Sequence, residues 1–456
     1  MGVDVKSAGL RPVSDVDEVE QIETDYLVVG AGAMGVAFID VLLKEDSSAD
    51  VVVVDRHASP GGHWNDAYSF VTLHQPAAFY GLTNLSLGRG GSDLTSLPEI
   101  VAYFGEAMRR FVESGRVRFL PMSDYQGEGT IVSVLNPAQR TRVSVRKRLV
   151  DATYLEARVP SVVAPLYDVD ADVELVPPNG LSRLRRPYEH HVVVGSGKTG
   201  IDAILFLLDR GVAPAAITWI VPNDAWLWAR EPVQPGLALT TVAEMVQAVA
   251  DAESADEAFA TLEERGLVFR LDRARQPTKW RCASVARDEL VQLRSVADVV
   301  RMGRVERISR GSVGLSEGEH RVPEDSLFVD CTANGLASAE PKPIFADGTI
   351  TLQSVFMCQQ TFSASLIGRL AVARFTDDKR NQILSPVPHP EAKEDLVTTL
   401  LASTQNTLRF SRRFPWWLRR NRLFLGSHEA LHRYLISSVK LRGCLRRAIS
   451  ARRWEA

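Results

Sequence analysis

Apolar residues fall along this chain in a repeated order: a short unbroken run, a glycine-rich break, then an apolar helical stretch. Residues 25–29 read as a first strand and 35–44 as a first helix, followed by a second strand over 50–54 that ends in Asp55. Residues 99–114 carry apolar positions at helical spacing, and 117–120 form a short strand. Segments 131–135 and 143–148 alternate around Asn136-Pro137, which predicts a hairpin, and 148–153 reads as another strand. The order then recurs. A second βαβ unit runs from 191 to about 221, a largely helical region covers 242–265, a hairpin joins 305–308 to 312–315, and a strand occupies 327–330. Residues 59–95 are turn-rich, dense in Gly, His and aromatics, and read as a loop covering a bound cofactor. Pro-rich residues 160–187 read as a crossover linker.

The two glycine breaks share one spacing. Gly30-Ala31-Gly32-Ala33-Met34-Gly35 follows the first strand, and Gly195-Ser196-Gly197-Lys198-Thr199-Gly200 follows the corresponding strand 165 residues later. In such a loop the first glycine allows the tight turn, the second lets backbone approach a pyrophosphate, and the third lets helix pack on strand. Free amides and the positive end of the helix dipole then hold the anion. Two such loops in one chain point to two dinucleotides and electron transfer between them. Asp55 stands 20 residues after Gly35, where an acid accepts hydrogen bonds from ribose hydroxyls. In Pro60-Gly61-Gly62-His63-Trp64-Asn65, the glycines permit backbone to lie against a flat ring and Trp64 can cover it. Asp-x-Thr recurs at the strand ends 151–153 and 330–332.

Composition alters little. The chain has 456 residues, 45% hydrophobic and 24% charged, enough for two or more domains, and its net charge of −3 carries no nucleic-acid signature. Charge is unevenly spread: residues 409–456 hold 13 Lys and Arg against two Glu. The N-terminal residues lack a signal pattern and no apolar run reaches a membrane span. Cys282, Cys331, Cys358 and Cys444 form no close pair in sequence, so reduced thiols in a cytoplasmic setting are expected, and neither they nor the nine His show metal-ligand spacing.

Taken in order, the first glycine loop, Asp55-Arg56, Gly-Gly-x-Trp, the second glycine loop and the Asp-x-Thr strand end resemble the flavin monooxygenase superfamily, over roughly residues 25–370. That superfamily includes flavin-containing monooxygenases, Baeyer–Villiger enzymes and N-hydroxylases. The resemblance implies FAD on Gly30, Gly32, Ala33, Gly35, Asp55, Arg56, Gly62, His63 and Trp64. It implies NADPH on Gly195, Ser196, Gly197, Lys198, Thr199 and Gly200, with Arg230 able to pair with a 2′-phosphate and Thr332 at the late strand end. Asn223 stands where an NAD-preferring site would carry an acid, with Asp224 displaced beside it. Gln75 and His74 are the catalytic candidates, since similar enzymes place an amide beside the flavin. In 360–368, Ser363 and Ala364 would permit close approach of a helix start to the flavin. Two departures mark a divergent branch: the Phe-x-Gly and His fingerprint before the second loop is missing, and the usual Thr-Gly is Thr332-Ala333.

The expected fold is therefore α/β with two Rossmann-like dinucleotide-binding domains. A discontinuous FAD domain (25–170 and 325–408) would carry an inserted NADPH domain (171–324), with a flexible leader (1–24) and a basic helical tail (409–456). The expected activity is NADPH-dependent insertion of one oxygen atom from O2 into a small organic substrate, through a flavin C4a-peroxide. An NAD(P)H-dependent flavin reductase or dehydrogenase without oxygen insertion is the alternative. A flavin-binding interaction protein is a third reading. The tail could meet a membrane or an acidic partner, although docking on its own chain is favoured. A disulfide reductase needs two close cysteines beside the flavin, and none precedes Cys282, which excludes that route.

Overall fold

The computed structural model describes residues 19–333, 335 and 339–450, so most of the expected leader and the last six residues of the tail lie outside the described residues. The first strand starts earlier than its apolar run: β1 (Glu20–Val29) is followed by α1 (Ala33–Glu45), β2 (Val51–Val54), α2 (Leu97–Glu113) and β3 (Val117–Leu120). An arm of β4 (Ser123–Tyr125) and β5 (Thr130–Ser133) turns into the long β6 (Arg140–Asp151), which merges the two strands expected over 143–153. Strands β6, β1, β2 and β3 lie side by side and parallel. Both faces of this sheet are covered, which is why its strands are continuous apolar runs. Val28, Val51 and Val53 pack into the main core with α1, while Leu27, Val52 and Val54 face Ile131 and Val143 of the arm and of β6.

The crossover carries β7 (Asp168–Val169), β8 (Leu175–Val176) and the single turn α3 (Pro178–Leu181). A second parallel arrangement follows: β9 (His190–Val194), α4 (Lys198–Asp209) and β10 (Ile217–Ile220). Next come β11 (Ala225–Ala229), α5 (Ala238–Asp251), α6 (Ala255–Glu264), β12 (Val268–Phe269), β13 (Lys279–Val285), α7 (Arg287–Leu293) and β14 (Asp298–Val300). The meander β15 (Val305–Ser309), β16 (Ser312–Leu315), β17 (Gly318–Arg321) contains the expected hairpin and leads to β18 (Ser326–Asp330). The second sheet runs β14-β10-β9-β18-β8, all parallel. Its plan repeats the first: Val193, Trp219 and Val329 face α4, and Val192, Ile220 and Phe328 face the meander.

Two features differ from expectation. The helical region 242–265 is two helices, because Ser254 accepts a hydrogen bond from the Glu257 amide and starts α6 afresh. A small sheet was also missed, in which β11 pairs with β13 in parallel and with β12 antiparallel. Trp226, Trp228 and Trp280 of that sheet are buried, with Trp226 stacked on Phe259 of α6.

The chain then returns to the first sheet through β19 (Phe345–Ala346) and β20 (Thr349–Thr351), the latter parallel to β6. Helix α8 (Gln360–Ala371) packs along α1, with Gly368 against the Phe38 carbonyl and Val41. Then come α9 (Asp377–Ile383), α10 (Asp395–Ser411), α11 (Pro415–Arg420) and α12 (Leu431–Ser450). The last helix packs on α5, burying Leu441, Cys444, Leu445 and Ala448. Arg422, between α11 and α12, donates to the carbonyls of Ala77, Ala78, Tyr80, Leu82 and Leu85, so the basic segment is joined to the loop over the first sheet. No helix among the described residues is long and apolar enough to cross a membrane.

Candidate cofactor and active site

Both glycine loops leave the carboxyl ends of parallel strands, the edge at which open α/β sheets bind ligands. Gly30 has φ of 102° and Gly195 a φ of 115°, conformations that disfavour a side chain, and a Cβ on Gly195 would lie 2.8 Å from the Cys331 carbonyl oxygen. A Cβ on Gly35 would collide with the Gly30 carbonyl, and one on Gly200 with the Gly195 carbonyl. Neither α1 nor α4 has a side-chain N-cap, since Gly32 and Gly197 occupy those positions. First-turn amides are thus left for an anion. Behind the loops, Thr153 donates its amide and hydroxyl to Asp151 at 2.9 and 2.8 Å, and Thr332 does the same to Asp330 at 3.0 and 2.7 Å. The Asp-x-Thr repetition is one device used twice.

Around the first loop the chain is closely folded. Asp55 is buried, and its Oδ2 accepts from the Ala31 amide at 2.6 Å, while Oδ1 accepts from the His57 amide at 2.8 Å. His57 also bridges Asp55 and Asp66 at 3.0 and 2.8 Å. Burial pulls its pKa down, but hydrogen bonds to Asp66 and Asp55 outweigh that and raise it. The Gly61 amide donates to the Ala31 carbonyl, and a Cβ on Gly62 would stand 2.9 Å from Gly32 Cα, so this pair of glycines lies directly on the loop. Trp64 is buried and donates its indole N–H to Tyr80 at 2.7 Å. His63 stays neutral, burial pushing it down to about 4. Arg56 points away at the surface, 3.7 Å from Asp124.

The second loop is more open, and nothing stands within 4 Å of a Cβ placed on Gly197. Ser196 donates to the Asn223 carbonyl, and Lys198 pairs with Asp202 one turn on. Asp202 in turn accepts from Tyr68 of the first unit at 2.6 Å. That hydroxyl also meets Thr199, and burial raises its pKa far above the ordinary value, with the Asp202 charge adding to it. Asp224, the displaced acid, is held by Arg301 at 2.8 Å. Arg230 departs from its expected role. It is 11% exposed, forms a bidentate pair with Glu289 at 2.8 Å, and donates to the His74 carbonyl, so its guanidinium joins the two units instead of standing free for a 2′-phosphate.

His74 and Gln75 lie where the two units meet. Burial, with Lys198, Arg230 and His389 adding to it, lowers the His74 pKa to about 3, so its ring is neutral. Gln359, at the start of α8, donates its amide to Gln75 Oε1 at 2.7 Å. His74 Nδ1 and Gln359 Oε1 are buried with no protein partner. Such atoms are costly unless something else pairs with them, and a polar ring edge would. The Ser363 hydroxyl in α8 accepts from the Val355 and Phe356 amides, which fixes the turn ahead of that helix. A small cleft of about 20 Å³ opens at the ends of β6 and β20, bordered by Tyr154, Leu155, Gln353, Ser354, Gln360 and His389.

The cysteines correct the expectation of reduced, unpaired thiols. Cys282 of β13 and Cys358, two residues before α8, form a disulfide with Cα atoms 6.8 Å apart, across 76 residues of sequence. No spacing rule could have found it, because β13 belongs to the missed sheet. His389 lies within 4.8 Å of both sulfurs. Cys331 and Cys444 are buried free thiols.

No protein-family model matches the chain. It is 40% identical over 405 residues to "Uncharacterized protein Rv2000" of Mycobacterium tuberculosis (strain ATCC 25618 / H37Rv), covering 85% of this chain and 75% of that protein. The figures are the same for "Uncharacterized protein Mb2023" of Mycobacterium bovis. Among solved structures it is similar to a steroid monooxygenase bound to NADP, with TM-score 0.52 and 14% identity over 76% of this chain and 84% of that one. It is also similar to the polycyclic ketone monooxygenase of Thermothelomyces thermophila, with TM-score 0.51 and 12% identity over 94% and 89%. The shared property at these identities is the fold.

Proposed function

We propose a function from one premise: the chain belongs to the family of the mycobacterial proteins Rv2000 and Mb2023 and has the fold of flavin-dependent monooxygenases. It is an FAD-dependent NADPH oxidoreductase that inserts one oxygen atom from O2 into a small organic substrate. The two sheets are Rossmann-like domains: FAD on 25–170 with 325–408, NADPH on 171–324, with the basic tail (409–456) touching both, through Arg422 on the 77–85 loop and α12 on α5. Gly30, Gly32, Ala33, Gly35, Asp55 and Gly62 hold FAD, with His63 and Trp64 behind it. Gly195, Ser196, Gly197, Lys198, Thr199 and Gly200 hold NADPH, and Thr332 supports the loop through Asp330. When bound, the flavin supplies the redox chemistry. The protein orients it and excludes water.

The observation that carries this reading is the repeated pair of uncapped glycine loops at the carboxyl ends of two parallel sheets, with the buried His74 Nδ1 and Gln359 Oε1 among the polar atoms left without a protein partner. Turnover under isotopically labelled O2 tests it: one labelled oxygen atom should enter the organic product. Products free of label, with NADPH still consumed anaerobically, would contradict oxygen insertion. That outcome would leave the reductase reading, which has one observation in its favour, the disulfide at the same site.

A further inference from the structure

We propose that Cys282–Cys358 is a redox-active disulfide serving as a second two-electron acceptor beside the flavin, with His389 carrying protons for it. This rests on the FAD assignment above, though not on oxygen insertion. Both sulfurs are tied into the candidate active site through their neighbours. Ser284, two residues after Cys282, donates to the His74 carbonyl, and Gln359, next to Cys358, donates to Gln75. The disulfide is thus joined through its chain neighbours to His74 and Gln75, the two residues assigned beside the flavin, just ahead of α8. That helix and α1 both follow strands of one parallel sheet and begin at the same sheet edge.

Backbone conformation marks the same place. Cys282 itself has a φ of 60° within a strand, and Met357, just before Cys358, has a φ of 39°. Left-handed backbone is unfavourable for such side chains and persists where the surroundings impose it, commonly at functional sites. A staple linking two units could have used ordinary strand positions. The two remaining cysteines are buried and free, so the pair is not part of a disulfide framework.

His389 supplies the proton path. It borders both the sulfurs and the cleft at the strand ends. Burial, with Arg281 adding to it, lowers its pKa, so the ring is neutral and passes a proton on readily instead of keeping it. In the step, the Cys282–Cys358 bond would take up two electrons, supplied by a bound reduced flavin that is oxidised in return. The bond breaks, and the two sulfurs take up two protons, one released by the flavin and one passed through His389, to give the thiols of Cys282 and Cys358. NADPH is the reductant that restores the flavin. The site then holds four electrons instead of two.

An anaerobic titration counts them. Wild type should need two equivalents of NADPH or dithionite per flavin for complete bleaching, while Cys282→Ser and Cys358→Ser should need one. Alkylation and mass spectrometry of the titrated wild type should find Cys282 and Cys358 labelled, which does not depend on any variant folding. His389→Asn should leave the electron count unchanged but slow thiol formation by about a hundredfold. Bleaching by a single equivalent in wild type, with both cysteines unlabelled, overturns the inference and leaves the FAD reading intact. A wild type with no flavin to bleach overturns both.

Discussion

The two glycine loops share their turns, their uncapped helices and their Asp-x-Thr supports, yet they differ in how much protein surrounds them. Around the first, Asp55, Gly61 and Gly62 close directly on the loop, and α1 is buried from Ala33 to Leu43 beneath α8. Around the second, Gly197 faces open space, and Tyr68 reaches across from the first unit to Asp202 of α4. A cofactor that stays for many turnovers needs an enclosed site, and one that exchanges on every turnover needs an open one. The contrast matches a resident FAD and a visiting NADPH.

Substitutions can break that contrast. The largest effect should come from Gly30→Val, which forces a branched side chain into a left-handed turn against Thr153. That variant should purify colourless. The matching change, Gly195→Val, should purify yellow yet resist NADPH while dithionite still bleaches it, with KM for NADPH raised about a hundredfold, equivalent to about 3 kcal/mol. Visible spectra of the two proteins check both. If both lose flavin, the loops do not divide the cofactors.

Next in size is Arg422→Ala. It leaves five carbonyls of the 77–85 loop without their shared donor and should cost on the order of 3 kcal/mol, read as a lower urea midpoint with flavin released on dilution. Tyr68→Phe removes a hydroxyl that links the first unit to α4 and should weaken NADPH binding about tenfold without loss of colour. Stopped-flow reduction at several NADPH concentrations separates that from a change in chemistry.

The smallest expected effect is one of pH. His57 has a pKa raised above its ordinary 6.5 by Asp66 and Asp55, so its protonated form is the one the fold favours. The stability it contributes is fully present below pH 6.5 and is lost as pH rises through the folded pKa. His57→Gln should therefore melt below wild type in acid, and the gap should narrow at alkaline pH. A gap that widened with pH would reverse the assignment.

What could be read in advance was local. A glycine loop is written in six consecutive residues, and Asp-x-Thr in three, so both copies were legible along with the strands that lead to them. The helices carried their own periodicity, although the Ser254 cap that divides 242–265 was overlooked. Contacts between distant segments left no such trace. Arg230 looked like a free cation because Glu289, which neutralises it, lies 59 residues on. Cys282 and Cys358 looked unpaired because a missed strand brings them together. Arg422 looked like one more charge in a basic stretch, with nothing to show that it would fill a ring of carbonyls. His74 and Gln75 stood out in the sequence, but their hydrogen-bond partners Ser284 and Gln359 did not, since hydrogen bonds across more than two hundred residues follow from topology alone.

The central claim is that electrons enter at the open loop and reach a cofactor held in the closed one. Anaerobic stopped-flow mixing of the yellow protein with NADPH tests it directly. The account predicts that the bound flavin bleaches at a rate that saturates with NADPH. A flavin that stays oxidised under NADPH, while dithionite bleaches it at once, would contradict it.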